Sequence, residues 1–336
     1  EMAAALNEQY GAEILLQNAT PLPGTELHRR CLDQGLLEGD PRRPWSGFQR
    51  RGLIRTADFG PDFLLQARRA LERRLTPAPG SARKVIVNLT YRCNNHCVFC
   101  AVSDREARDA RAEAVIKQLR RHRDQGCELL DLDGGEPTLH EDLFAIIRAA
   151  REMGYGRIAV ITNGRRLSYQ PYARGLVRAG LDEVLVSLHA PEEGLNARIT
   201  GAAAAFGQTV AGLGNILEAM GDAHRVAVNT TVTVENLGAL QPLGRLLAEL
   251  GVRRWNLQLV TPFGRAVPEL LPQEPDLTRT LVGLLESPPA GSRIQLVNCP
   301  PCLVPGHEAA AALDFRKAQR SMVFVDACGE NLQDFL

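Results

Sequence analysis

From residue 84 onward, short runs of β-branched and aliphatic residues alternate with longer stretches whose apolar positions recur every three to four residues. The short runs are 84–90 (KVIVNLT), 128–133 (ELLDLD), 157–162 (RIAVIT), 183–188 (EVLVSL), 225–233 (RVAVNTTVT) and 254–260 (RWNLQLV). The periodic stretches lie near 111–125, 141–153, 172–180, 207–220 and 238–250. Strand followed by helix, with strands too apolar to leave a face in water, predicts an α/β fold in which helices cover a parallel sheet. Six such units suit a partial (β/α)6 TIM-like barrel, and a doubly wound open sheet fits the same periodicity.

The flanks lack this alternation. Residues 1–80 predict an irregular, partly helical N-terminal extension, with turn material at Pro21–Thr25, a helix over 61–74 and a linker at 76–80 (TPAPG). The core is expected over 81–275. Residues 276–336 form a C-terminal extension with a helix near 276–287, one β-like run from 293, a short helix and the run Met322–Val325.

Composition narrows the class. A 45% hydrophobic content is enough for a sizeable core, and 39 basic against 39 acidic residues give zero net charge. That balance offers no electrostatic reason to bind nucleic acid or a membrane surface. No apolar run reaches the roughly 18 residues of a membrane span, and no basic-then-apolar signal peptide opens the chain. Because the first residue is Glu1, the natural start is free to lie upstream. Eight cysteines, at 31, 93, 97, 100, 127, 299, 302 and 328, in a long chain without a secretory signal point to metal binding in a reducing, cytoplasmic setting.

Three of them follow the first strand as Cys93-Asn94-Asn95-His96-Cys97-Val98-Phe99-Cys100. Three thiolates on one loop can grip one metal centre. A structural zinc needs a fourth ligand, for which His96 is the only candidate in the loop. A four-iron cluster held by three cysteines keeps one iron open to a substrate. The second strand ends in Asp133-Gly134-Gly135-Glu136-Pro137, where two glycines permit close backbone approach. The third ends in Thr162-Asn163-Gly164, the fourth in Ser187-Leu188-His189 with Asn196-Ala197-Arg198 downstream. The fifth carries Asn229 and Thr231, and the sixth Gln258 ahead of Thr261-Pro262-Phe263-Gly264-Arg265. These polar groups gather at the carboxyl ends of the strands, where ligands sit in a β/α barrel.

The C-x3-C-x2-C spacing with an aromatic before the last cysteine resembles the radical S-adenosylmethionine superfamily. Over residues 84–265 the resemblance implies a 4Fe–4S cluster on Cys93, Cys97 and Cys100 that cleaves S-adenosylmethionine to a 5′-deoxyadenosyl radical. It implies that Gly134, Gly135, Glu136 and Pro137 receive the methionine amino group, through the Glu136 carboxylate. It places Asn163, Ser187, Arg198 and Asn229 around the same cofactor, with Ser187 at the ribose or carboxylate and Arg198 at the carboxylate. For His189 a packed, hydrogen-bonded role competes with a ribose contact, and for Gln258 and Arg265 a structural role competes with a site role. An external donor such as flavodoxin or ferredoxin would supply the electron, and the substrate is a peptide or a small metabolite. The Gly-Gly-Glu-Pro motif and the strand-end polar set argue against one rival reading, an electron-carrying iron–sulfur module; a second, a zinc-binding interaction module, is distinguished by iron content and a brown colour in anaerobic preparations.

Residues 21–36 (PLPGTELHRRCLDQGL) resemble the closing segment of cobalamin-binding members of the superfamily, which would place the start of the chain inside the tail of a preceding radical domain. No cobalamin-binding His motif accompanies it. Cys31 and Cys127 are expected as buried thiols. Cys299, Cys302 and Cys328 are candidates for a second centre, an iron–sulfur cluster or zinc, with His307 as a further ligand.

Overall fold

The computed structural model describes residues 26–37, 54–60, 63, 66, 83–106, 108–262, 264–311 and 322–326. The chain divides into two compact units, Glu1–Ser81 and Ala82–Phe335. In the first, helix α1 (Glu26–Asp33) buries Cys31, and an antiparallel bridge joins Leu37 to Ile54. The predicted linker at 76–80 and most of the predicted helix at 61–74 lie outside the described residues. Among the described residues no helix is long and apolar enough to cross a membrane.

The second unit is built on eight parallel strands: β1 (Arg83–Thr90), β2 (Cys127–Gly134), β3 (Arg157–Thr162), β4 (Glu183–Ser187), β5 (Val226–Val232), β6 (Arg254–Leu259), β7 (Arg293–Val297) and β8 (Met322–Asp326). Their spatial order is β7-β6-β5-β4-β3-β2-β1-β8, so β7 and β8 are edges and the barrel is partial. The sequence pattern gave six strands. The two more come from the segment expected as a C-terminal extension. They are the β-like run from 293 and the run Met322–Val325, which the pattern marked without joining them to the strand–helix alternation.

Side chains alternate across each strand. On β1, Val85, Val87 and Leu89 are fully buried against helices, which leaves Lys84, Ile86 and Asn88 on the concave face. On β6, Trp255 and Leu257 face the helices, and Arg254, Asn256 and Gln258 the concave side. Connecting helices match this with one apolar stripe each: α3 (Leu143–Glu152), which follows α2 (Ala112–Asp124) and precedes α4 (Gln170–Ala179), buries Leu143, Ile146, Ile147 and Ala150, positions i, i+3, i+4 and i+7.

The amino-terminal end of the concave face is occupied by charge. Lys84 Nζ lies 2.8 Å from Asp131, Arg157 lies 2.5 Å from Asp131 and 3.0 Å from Glu183, and Arg254 lies 3.5 Å from Glu183. Three cations here share two carboxylates, and polar groups that could meet a ligand lie nearer the carboxyl ends.

Candidate active site at the carboxyl ends of the strands

The loop carrying Cys93, Cys97 and Cys100 leaves β1 and is held by three neighbouring elements. Helix α5 (Glu193–Thr200) offers two of its last carbonyls: His96 N donates to Thr200 O at 2.7 Å and Val98 N to Ile199 O at 2.9 Å. From the end of β3, Asn163 Nδ2 donates to Asn94 Oδ1 at 2.6 Å and approaches Cys93 Sγ at 3.9 Å. Arg165 donates to Asn94 O and, at 3.0 Å, to Asn95 Oδ1. After β6, Arg265 N donates to Cys100 O at 2.9 Å and its Nη1 to Cys97 O at 3.0 Å. Gly264 (φ +59°) permits this approach, since a Cβ there would overlap the Cys100 carbonyl.

The two glycines after β2 have an equally local reason. A Cβ on Gly134 would overlap Thr90 O, and one on Gly135 would sit 2.5 Å from Arg92 O. Both amides that follow are used there, with Gly135 N donating to Thr90 O and Glu136 N to Arg92 O. The close approach is thus to the start of the cysteine loop. Glu136 is fully buried. Its Oε1 accepts from Thr138 N (3.0 Å), Thr138 Oγ1 (2.5 Å) and Thr162 Oγ1 (2.6 Å), and its Oε2 from Asn163 N (2.7 Å). A carboxylate has about four lone-pair sites. The oxygens that the resemblance assigns to the methionine ammonium are therefore engaged by the chain itself. Burial raises the Glu136 pKa, and these bonds oppose the rise. Pro137 opens the short 3₁₀ turn Pro137–Leu139 that follows.

Ser187 and Asn229 are register neighbours on the concave face, and Asn229 Nδ2 donates to Gln258 Oε1 at 3.3 Å. Arg198 is exposed and pairs at 3.8 Å with Glu235. His189 is buried, its Nδ1 accepts from Thr231 N at 3.2 Å, and Phe99 of the cysteine loop meets its ring edge-on at 4.7 Å. Burial lowers its pKa to about 4, so the ring is neutral. This is the packed, hydrogen-bonded state. Asn196 on α5 is buried with its Oδ1 unpartnered among the described residues.

The three thiols lie on one loop and are the soft donor set that an iron–sulfur cluster takes. Burial pushes Cys97 up to about 12 and also raises Cys93, so the thiolates need a cation to hold them ionised. Asn95 N, 3.4 Å from Cys93 Sγ, is positioned to donate to that sulfur.

Residues 87–243 match the family model of the Radical SAM superfamily. These residues form a radical SAM domain. Curated relatives include proteins named probable GTP 3′,8-cyclase. That of Saccharolobus solfataricus is 31% identical over 180 residues, covering 53% of this chain and 57% of the relative. That of Methanopyrus kandleri is 33% identical over 189 residues, covering 54% and 57%. The chain thus spans little more than half the length of these relatives. Among solved structures, Streptococcus suis SuiB bound to S-adenosylmethionine superimposes with a TM-score of 0.60 at 18% identity, covering 82% of this chain and 65% of that one. SuiB bound to its precursor peptide SuiA also gives 0.60 at 18% identity, covering 90% and 69%. These likenesses show that the radical SAM domain has the partial-barrel fold of the superfamily.

Beyond the radical SAM domain, Cys299 follows β7 and is buried, while Cys302 is exposed. Burial and the neighbouring Cys302 push Cys299 up to about 11. Cys328 lies outside the described residues. Sequence reasoning missed Asn94, Asn95 and Arg165, which bind the loop through one another; only their closeness to Cys93 and Asn163 in the chain hinted at it. It also missed Asn256 and Gln295, which period-two alternation places on the concave face with Gln258.

Proposed function

We propose that the chain holds a 4Fe–4S cluster on Cys93, Cys97 and Cys100 and cleaves S-adenosylmethionine reductively to start radical chemistry. The observation that supports this best is the cysteine loop, fixed by α5, the β3 end and the β6 end at the carboxyl rim of a radical SAM domain. Bound there, the cluster would supply the electron that breaks a C–S bond of the cofactor and yields a 5′-deoxyadenosyl radical. The chain's own part is orientation. Asn163 and Arg165 fix the loop, Glu136 ties the β2 end to the β3 end, and Gly134 and Gly135 let that end press on the loop. Ser187, Asn229 and the orphaned Oδ1 of Asn196 are the groups left to meet the cofactor, with the backbone of Gly134–Pro137. An external low-potential carrier delivers the electron. The substrate is a peptide or a small molecule; the name of the curated relatives favours a nucleotide, and the peptide bound to SuiB favours a peptide. Cys299 and Cys302 are proposed as two ligands of a second centre, because their tight turn presents both thiols together.

One experiment tests both centres. Cys93, Cys97 and Cys100 are replaced together with Ala, the protein is reconstituted anaerobically, and iron, zinc and 5′-deoxyadenosine are counted. Formation of 5′-deoxyadenosine is expected to stop, and wild-type turnover would refute the main site. Residual metal that is lost when Cys299 and Cys302 are also replaced supports the second centre; a folded, metal-free triple variant rejects it.

A further inference from the structure

The charge ladder on the concave face is uneven. Its two carboxylates stand on β2 and β4, and Glu183 is closer to Arg157 (3.0 Å) than to Arg254 (3.5 Å). Beyond Arg254 comes a fourth cation, Arg293, the first residue of β7 and the register neighbour of Arg254. Ile294 and Leu296 are buried in the core with Trp255 and Leu257, so alternation turns Arg293 and Arg254 to the concave face together. Arg293 is exposed and makes no hydrogen bond or ion pair among the described residues. Like charges directly opposite on adjacent strands destabilise a sheet, and the β6–β7 end of the ladder holds such a pair without a carboxylate of its own.

The next level of the same wall supplies neutral donors. Asn256 and Gln295 are register neighbours, both half-buried and both without a hydrogen-bond partner among the described residues. Each side-chain amide carries two N–H donors. Above them Gln258 is already engaged by Asn229 at 3.3 Å. Asp133, which register carries through Leu185 and Ala227 to the level of Arg254 and Arg293, stands on β2, four strands away from β6. A guanidinium fork matches the oxygens of a carboxylate or a phosphate. Both β6 and β7 lie past residue 243, where the match to the superfamily model ends, so the cation pair stands outside the stretch matched to the family.

Resting on the radical SAM reading of the site, we propose that the β6–β7 wall seats an anionic end of the substrate, a phosphate or a carboxylate, on Arg293, with the amides of Asn256 and Gln295 as neutral donors. Arg254, tied to His224 O at 2.7 Å and to Glu183, adds its field and not a free fork. Arg293 lies four residues below Val297, the register neighbour of Gln258, which is about 13 Å along the strand. The substrate is therefore elongated, with its reacting carbon at the carboxyl rim and its anion held deeper in the barrel. A neutral metabolite or a simple amine lacks the charge this wall calls for.

The test uses the reconstituted holoenzyme saturated with S-adenosylmethionine and two pairs of probes that differ in the anion: GTP against guanosine, and Nα-acetyl-glutamate N-methylamide against its glutamine counterpart. S-adenosylmethionine binding and 5′-deoxyadenosine formation without a probe report on the radical SAM reading; the charged-over-neutral ratio, read by calorimetry, reports on this inference. In at least one pair the charged probe is expected to bind roughly tenfold tighter, as one charge-assisted bond gives. A preference for GTP over guanosine names a phosphate, and a preference confined to the glutamate pair names a carboxylate. Arg293→Gln should erase the preference while the neutral probe keeps its affinity, and Arg293→Lys should restore part of it. Asn256→Ala with Gln295→Ala should weaken the charged probe. Added salt should shrink the ratio, because the exposed guanidinium is open to screening. The wild-type ratios and their salt dependence are decisive without any variant. Equal, reversed or undetectable binding in both pairs, or a folded Arg293→Gln protein that keeps the ratio, would overturn the proposal.

Discussion

Replacing Glu136 separates a residue that builds the site from one that only touches the cofactor. Its carboxylate collects four donors, two of them main-chain N–H groups of the buried residues Thr138 and Asn163. In Glu136→Ala the hydroxyls of Thr138 and Thr162 can rotate, but the two amides cannot. A buried donor left unpaired costs about 1–3 kcal/mol, so the pair costs about 2–6 kcal/mol. Glu136→Gln keeps one acceptor oxygen but turns an NH2 group toward Asn163 N–H, and about 1–3 kcal/mol is expected. The assay is hydrogen exchange at Thr138 and Asn163, with the unfolding midpoint, all without S-adenosylmethionine. At about 1.4 kcal/mol per decade, exchange should quicken by more than tenfold in Glu136→Ala and less in Glu136→Gln. Because Asn163 also reaches Asn94 and Cys93, the cluster loop should loosen too, seen as faster loss of iron to a chelator. A Glu136→Ala protein with wild-type protection and midpoint, altered only in cofactor affinity, would refute the structural role and restore the carboxylate as a ligand for the methionine ammonium.

Two further outcomes follow from the loop's other supports. Arg265→Gln removes a cation and a hydrogen bond from Cys97 O, so the cluster should become harder to reduce, with Arg265→Lys closer to wild type. An EPR-monitored titration reads the midpoint, and an unchanged potential in Arg265→Gln would reject the tuning role. His189, held neutral with a pKa of about 4 against 6.5 unfolded, binds fewer protons when folded, so its contribution is intact above pH 6.5 and falls as pH drops toward 4, by about 3 kcal/mol in full. The stability gap between wild type and His189→Gln should therefore narrow on acidification; a gap independent of pH contradicts this.

What could be read from the chain was what is local in it. Period-two alternation gave β1 to β6, and three cysteines within eight residues marked the loop after β1 as the candidate site. The Gly-Gly pair was visible as a demand for close approach, but its partner was not. Gly134 and Gly135 press on Thr90, Tyr91 and Arg92, more than 40 residues earlier, and only the parallel pairing of β1 with β2 brings them there. Glu136 shows the same limit. Its type and position suggested an ammonium ligand, whereas its partners Thr162 and Asn163 arrive with the next strand. Arg198 lies on the exposed side of α5, where it pairs with Glu235, a residue 37 positions later that local spacing did not announce. The strip of Asn229, Asn256 and Gln295 depends on register alone: a one-residue slip of β6 would turn Asn256 into the helix layer and bring Trp255 to the concave face. This register lets Trp255 Nε1 donate to Thr230 Oγ1 at 2.9 Å within the core, a bond that a slip would break. What the concave face offers a substrate is thus tied to an apolar residue on the opposite side of the same strand.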